Sequence, residues 1–396
     1  MTLLKNCRVI PELTEGYDGQ FADILIDGKF IAGICAPGTA DAAADDECID
    51  MEGKTVLPGL FDLHMHLNFD SMSVADIAMR APEQAIVDGM DYAQEFLRNG
   101  YTYLRDCGIA CWGGQYVRQL IDRGIAVGPH YTFSGACNSP SVPGNKKFGP
   151  VYREFDGPQY ALQICREDVA NGADFVKYMV TGAVMNDGGD PQMMICTREE
   201  LQAMVDGARA CGTYLSCHCH GKPGILACVD AGVYTVEHCT YIDDECIDAF
   251  LKADGRSVII PTLGVVYGIL MDDTGATPQY MKDRASEIFD HCCEYLGKAY
   301  RAGVTMGWGS DADRVSFHKY PGLEFIAREK MGLSNIELLR QATIDSARIV
   351  HVDDKCGTLK AGKWADLCIV DGNPDEDIRA MTKLPAHVFI QGCQFV

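Results

Sequence analysis

The feature that most constrains the fold is an alternation through the middle of the chain. Apolar, β-rich runs at 55–66, 101–107, 130–134, 174–181, 214–220, 234–239, 257–263 and 304–311 are separated by other stretches. Several of those, at 83–99, 197–211, 243–253 and 278–302, have helical periodicity. Strands that alternate with helices build parallel sheets, because a crossover helix is what joins parallel neighbours. Eight such strands predict an α/β fold, a (β/α)8 TIM-like barrel, which carries its active site at the C-terminal ends of its strands.

The flanks read differently. Short β runs with turn signals such as Asp27-Gly28-Lys29 fill the first part of the chain, and β runs return at 367–370, 388–390 and 394–396. The simplest assembly is a small β-sandwich domain made by both chain ends, 1–57 and 353–396, with the barrel at 58–352 inserted between them. A chain of 396 residues is long enough for both.

The net charge of −22 argues against nucleic acid or an anionic membrane as partner. Met1-Thr2-Leu3-Leu4-Lys5-Asn6 lacks the apolar core of a signal peptide, and no apolar run is long enough to span a bilayer, so a cytoplasmic location is expected. Nineteen cysteines without one Cys-x-x-Cys pair fit reduced thiols used as small hydrophobes better than a disulfide framework or a zinc ribbon.

Polar residues recur where the strands end. The first barrel strand runs Leu57-Pro58-Gly59-Leu60-Phe61-Asp62-Leu63-His64-Met65-His66. Strand side chains alternate, so His64 and His66 share a face and can hold one divalent metal. Lys177 lies within Phe175-Val176-Lys177-Tyr178-Met179. A lysine in such a run is either an edge residue that snorkels or one that faces a metal at the mouth of strand four. In Ser216-Cys217-His218-Cys219-His220, alternation sets both histidines in the barrel mouth and both thiols in the helix layer. His218 is the deeper candidate ligand, and His220 lies nearer the rim, where it can touch substrate. His238 ends strand six and, taken alone, reads equally as a core histidine. In Gly307-Trp308-Gly309-Ser310-Asp311-Ala312-Asp313, parity favours Asp311 over Asp313, which reads as a loop cap. Asp62 shares the parity of His64, and Arg105-Asp106 reads as a barrel ion pair. Asn138, Tyr267, Asn186 and Arg314 fall in loops where they could meet substrate; an arginine or tyrosine there could receive a substrate carboxylate.

His64-Met65-His66, Lys177, His218, His238 and Asp311, in this order, resemble the amidohydrolase superfamily. The tail adds to the likeness: Leu339-Arg340-Gln341-Ala342-Thr343, Gly357-Thr358-Leu359 and Ala365-Asp366-Leu367 are similar to the end of imidazolonepropionase-like members. Phe175-Val176-Lys177 with Thr181-Gly182-Ala183-Val184 resembles the branch of Xaa-Pro and Xaa-Arg dipeptidases and ochratoxin-type amidases. That resemblance implies two zinc ions bridged by a lysine carboxylated with CO2. His64, His66 and Asp311 would bind the first, His218 and His238 the second, and Lys177 would bridge them. It also implies hydrolysis of a linear amide, a dipeptide or an N-acyl amino acid, with Asp311 as proton shuttle.

One departure concerns specificity. The branch often carries a Gly-Gly-His segment after strand three; here the loop begins Gly135-Ala136-Cys137-Asn138-Ser139 and holds no histidine. Asn138 is the residue that could supply a hydrogen bond instead. The competing expectation is a mononuclear hydrolase of cyclic amides or amidines. A catalytically dead scaffold is the third, opposed by the complete ligand set. A homo-oligomer is expected on general grounds.

Overall fold

Both chain ends enter one sheet. The computed structural model describes residues 1–40, 43, 46–69, 80–108, 113–185 and 190–396, with backbone alone at 148–150. Strands β1 (Thr2–Val9), β2 (Phe21–Asp27), β3 (Phe30–Cys35), β4 (Glu47–Asp50) and β5 (Thr55–Pro58) come first. The parallel set follows: β6 (Leu60–Met65), β7 (Tyr101–Asp106), β8 (His130–Phe133), β9 (Cys137–Ser139), β10 (Tyr152–Glu154), β11 (Val176–Met179), β12 (Leu215–Cys219), β13 (Thr235–His238) and β14 (Val258–Ile260). β15 (Leu367–Val370), β16 (His387–Ile390) and β17 (Cys393–Gln394) return to the first sheet.

That sheet has eight strands in the order β17-β16-β15-β5-β1-β2-β3, with β4 also on β1. A two-sheet sandwich was expected. The strands are instead hydrogen-bonded continuously through the β15–β5 and β5–β1 pairs, around a core shared by Leu4, Ile24, Met51, Val56, Ile369 and Phe389. The run at 55–66 is not one strand either. It changes sheet at Gly59, where an added Cβ would sit 2.0 Å from Thr102 Oγ1.

The central strands with their helices form an α/β barrel of the TIM type, but its ladder is not continuously closed. β6, β7 and β8 make one parallel group, and β9 to β14 another. Asp174 N donates to Phe133 O across one joint, 2.9 Å. At the other, 304–311 was expected as an eighth strand and instead makes a single bridge, Met306 to Ile259. It still lies between β14 and β6: Gly307 N donates to Ile259 O at 3.0 Å, and Leu63 N to Trp308 O at 2.7 Å. Glycine explains the irregularity. A Cβ on Gly309 would come within 2.8 Å of His64 Cβ, so this segment presses against β6 more closely than a side chain allows.

The helices that matter for the site are α1 (Pro82–Arg98), α2 (Gly113–Asp122), α3 (Ala161–Ala170), α4 (Arg198–Ala210), α5 (Lys222–Ala231), α6 (Asp244–Ala253), α7 (Leu263–Met271) and α8 (Gln279–Arg301). Thr197 and Glu200 close a capping box that starts α4. α8 buries Met281, Ala285, Ile288, Cys292 and Leu296, a stripe spaced three to four residues apart that faces the core. α7 is apolar nearly all round, as a helix enclosed by protein must be, and it packs against α8 above the strand ends. No helix among the described residues is long and apolar enough to cross a membrane.

Candidate active site

The strand ends bring seven side chains to one cavity. His64 on β6 and His66, one residue beyond its end, have ring centroids 5.5 Å apart. β12 delivers His218 and, one residue beyond its end, His220, at 4.5 Å. The His238 ring, from β13, lies 4.5 Å from His218, 4.6 Å from His220 and 4.7 Å from His64. Lys177 Nζ, from β11, is 3.4 Å from His64 Nε2. Asp311 Oδ1 completes the ring, 3.6 Å from His66 Nε2 and 3.8 Å from His64 Nε2. All seven line the cavity.

His238, Cys239 and Asp311 have φ of 67°, 51° and 49°, left-handed conformations that cost of order 1–3 kcal/mol on a residue with a side chain. The strain has a visible use. Along β13, Thr235 and Glu237 face the barrel interior, so alternation would turn His238 outward. The left-handed turn returns its ring to the cavity.

Almost every imidazole is held from behind. Nδ1 contacts Glu237 Oε2 in His64 (2.7 Å), Gly108 O in His66 (2.8 Å), Thr240 Oγ1 in His220 (2.7 Å) and Thr262 Oγ1 in His238 (2.6 Å). Such partners set the orientation of each ring and leave Nε2 for the cavity. His218 differs: its Nδ1 meets His238 Nε2 at 2.8 Å, and its own Nε2 is buried without any partner. Burial holds His64, His218 and His238 well below the usual histidine range, and His66 down at about 4 and His220 at about 3. The rings are therefore neutral, the form that binds metal. Burial pushes the Asp311 carboxyl up to about 8, while Lys177 pulls it down.

These features fit a divalent cation. His218, His220 and His238 form one group with ligand atoms within 4.8 Å of one another, and His64, His238 and Asp311 form a second. His218 Nε2 is a buried ring nitrogen without a hydrogen-bond partner, and in its unprotonated form it is free to ligate a cation. Lys177 is 1% exposed and makes no ion pair among the described residues, a costly state for an unmodified ammonium.

Other expected site residues lie elsewhere. The Asn138 amide is consumed by Asp168 Oδ2 (2.8 Å) and Lys177 O (3.0 Å), and its oxygen accepts from Arg153 (2.8 Å). It braces β9, a strand that the sequence did not predict, against β11. Tyr267 packs on Phe289, and Arg314 is paired with Asp91 and Glu95; neither lines the cavity. Asn186 lies outside the described residues. Arg105 does not pair with Asp106. It donates to Glu237 Oε1 at 2.8 Å, and Asp106 instead accepts from the Tyr131 hydroxyl at 2.8 Å. Asp62 accepts from the backbone of His64 and Ser310 rather than from a ring. Asp313 caps the helix that follows.

Two residues went unnoticed in the sequence. Glu237 is fully buried, and while one oxygen holds His64, the other accepts from Arg105, Ser216 and Thr235. Alternation from Thr235 would have found it. Asn68, 4% exposed, lines the cavity and makes no side-chain hydrogen bond among the described residues. No spacing rule marks it.

Comparison with known proteins agrees with this geometry. Residues 55–394 match the model of the family described as "Amidohydrolase family". Ochratoxinase of Aspergillus niger is 30% identical over 381 residues, covering 86% of this chain and 75% of that protein. Imidazolonepropionase of Nocardia farcinica is 25% identical, covering 91% and 88%. A crystal structure of a prolidase complexed with N-methylphosphonate-L-proline superposes with a TM-score of 0.87 at 26% identity, over 99% of this chain and 98% of that one.

Proposed function

The chain belongs to the amidohydrolase family and is a hydrolase of carbon–nitrogen bonds; from that membership we propose that it cleaves a linear amide with the help of two divalent ions. The observation that carries this reading is the convergence of five histidines, Lys177 and Asp311 on one cavity. His64, His66 and Asp311 would hold one ion, and His218 and His238 the other, with zinc suited to the imidazole-rich set. Lys177, carboxylated by CO2, would stand between them, which removes the cost of its buried, unpaired ammonium. Ions held there supply Lewis acidity to a carbonyl and make water nucleophilic at neutral pH.

The protein's own groups then handle protons and position. Asp311 is placed at the cavity wall to take the proton of the attacking water and deliver it to the departing nitrogen. In the tautomer where the Thr240 hydroxyl donates to Nδ1, the neutral His220 would carry its proton on Nε2 and could donate it to the amide carbonyl oxygen. The Glu237 carboxylate keeps His64 in register, and Arg105 pairs with Glu237 from the other side.

The test is amine release from a panel of linear and cyclic amides by protein supplied with zinc and bicarbonate, together with metal analysis. The expected result is cleavage of linear amides with two ions per chain. Opening of cyclic amides alone, with one ion per chain, would overturn the reading.

A further inference from the structure

The wall of the cavity away from the histidines is apolar. Val151, Met179, Val184, Val266, Ile269 and Ile288 line it, contributed by the segment before β10, β11 and its loop, α7 and α8. Apart from Lys177, on the histidine side, no lysine or arginine lines it. The residues outside the described set, 41–42, 44–45, 70–79, 109–112 and 186–189, and the side chains at 148–150, contain no lysine or arginine to add.

Two arginines close in the fold, Arg284 on α8 and Arg153 on β10, have partners of their own. Arg284 Nη1 donates to Val184 O at 3.0 Å, and its guanidinium lies over the Tyr280 ring; Arg153 is paired with Asp168 at 2.7 Å. Backbone donors at the start of α7 are also taken: Gly264 N by Glu324, and Val265 N by Ser310 O at 3.0 Å. A substrate carboxylate would therefore be desolvated in this wall without a cation, which disfavours its binding. Asn68, by contrast, presents a neutral amide to the cavity. It can hydrogen-bond an uncharged oxygen or N–H without burying a charge.

We infer that the cavity takes amides whose leaving amine is apolar and carries no carboxylate, rather than dipeptides or N-acyl amino acids. The net charge of −22 acts in the same direction, since it disfavours the approach of anions. This rests on the amide-hydrolase reading above, and the experiment separates the two.

The probe is a matched pair, N-benzoyl-phenethylamine and N-benzoyl-L-phenylalanine, which differ by one carboxylate. Turnover is measured with the zinc-loaded protein, and binding by calorimetry with the zinc-loaded D311N variant. The neutral member is expected to win by tenfold or more in kcat/KM and in Kd. Equal or better handling of the acid overturns the inference and leaves amide hydrolysis standing; loss of that preference in R284A would name the missed receiver. If neither member is cleaved but the neutral one binds more tightly, the linear-amide reading falls and the inference stands. Absence of binding by both overturns it. A second variant, Val265→Lys, adds an ammonium at a half-buried position of the same wall. It is expected to shift the ratio at least tenfold toward the acid, and a folded variant with an unchanged ratio overturns the inference.

Discussion

The two faces of β12 are equally buried and chemically opposite. On the inner face, Ser216 and His218 meet Glu237 and His238, and His220 follows on Thr240. On the outer face, Cys217 and Cys219 are fully buried toward α5, where Cys219 Sγ would lie 2.7 Å from a Cβ on Gly224. Burial pushes both thiols well above the usual cysteine range, so they stay protonated. Inside, nearly every polar atom has an assigned partner. Outside, the side chains supply volume. Substitutions on the inner face should therefore alter chemistry more than stability, and those on the outer face the reverse.

The largest effect expected under this division is at Asp311. Asp311→Asn should retain most of the bound metal and lose on the order of 10³-fold in kcat, since a positioned acid–base group contributes about 10²–10⁴. Activity within tenfold of the parent protein, measured at equal zinc content, would refute its role in proton transfer.

Glu237 tests whether the division is clean, because it serves both the site and the fold. Glu237→Gln leaves the buried Arg105 guanidinium without its counter-charge, a loss of about 3–5 kcal/mol. It also loosens His64, for about 10–100-fold weaker metal retention. Chelator competition and urea unfolding read the two separately. Lost stability with unchanged metal affinity would reduce Glu237 to a structural ion-pair partner.

On the outer face, Cys217→Ala should cost roughly 1–2 kcal/mol by denaturant unfolding, within the ordinary range for a core truncation. Turnover should stay within twofold. A larger fall in kcat than in stability would mean that the thiol layer is coupled to the histidines, and the two faces could not be treated as independent.

The same alternation explains what could be read in advance. His64, Lys177 and His218 lie on strands and His66 just past the end of β6, where a period of two assigns the face. His238 and Asp311 were reached with less ground. Each is itself a left-handed residue, His238 at the end of β13 and Asp311 at the end of the irregular 304–311 segment, which periodicity does not encode. The eighth strand was misjudged because glycine at 307 and 309 admits close approach instead of a regular ladder. Asn138, Tyr267 and Arg314 were placed near substrate from their loops alone. Their partners, Asp168, Phe289 and Glu95, come from other elements and become visible only when the chain is folded. The end domain was legible as strands, but the pairing of β15 with β5, which makes one sheet of two segments, is a long-range choice.

The smallest effect lies outside both faces and calibrates them. Glu15 ties the two ends of the chain together by accepting from Thr358, Lys360 and Lys363. Lys360, then Thr358, hold its carboxyl down at about 2, below the ordinary glutamate value. A carboxyl depressed on folding adds stability above its unfolded pKa and loses it as the pH falls through the folded one. The contribution should therefore be full above about pH 4.5 and fade toward pH 2. The side chain is 40% exposed, so solvent screening limits it to less than about 1 kcal/mol. Urea unfolding of the parent and of Glu15→Gln should show a small gap at pH 7 that narrows by pH 3. A gap that does not change with pH would assign the effect to lost hydrogen bonds rather than charge. Metal content and turnover at pH 7 should be the same in both proteins, which sets the scale against which the Glu237 and Cys217 variants are judged.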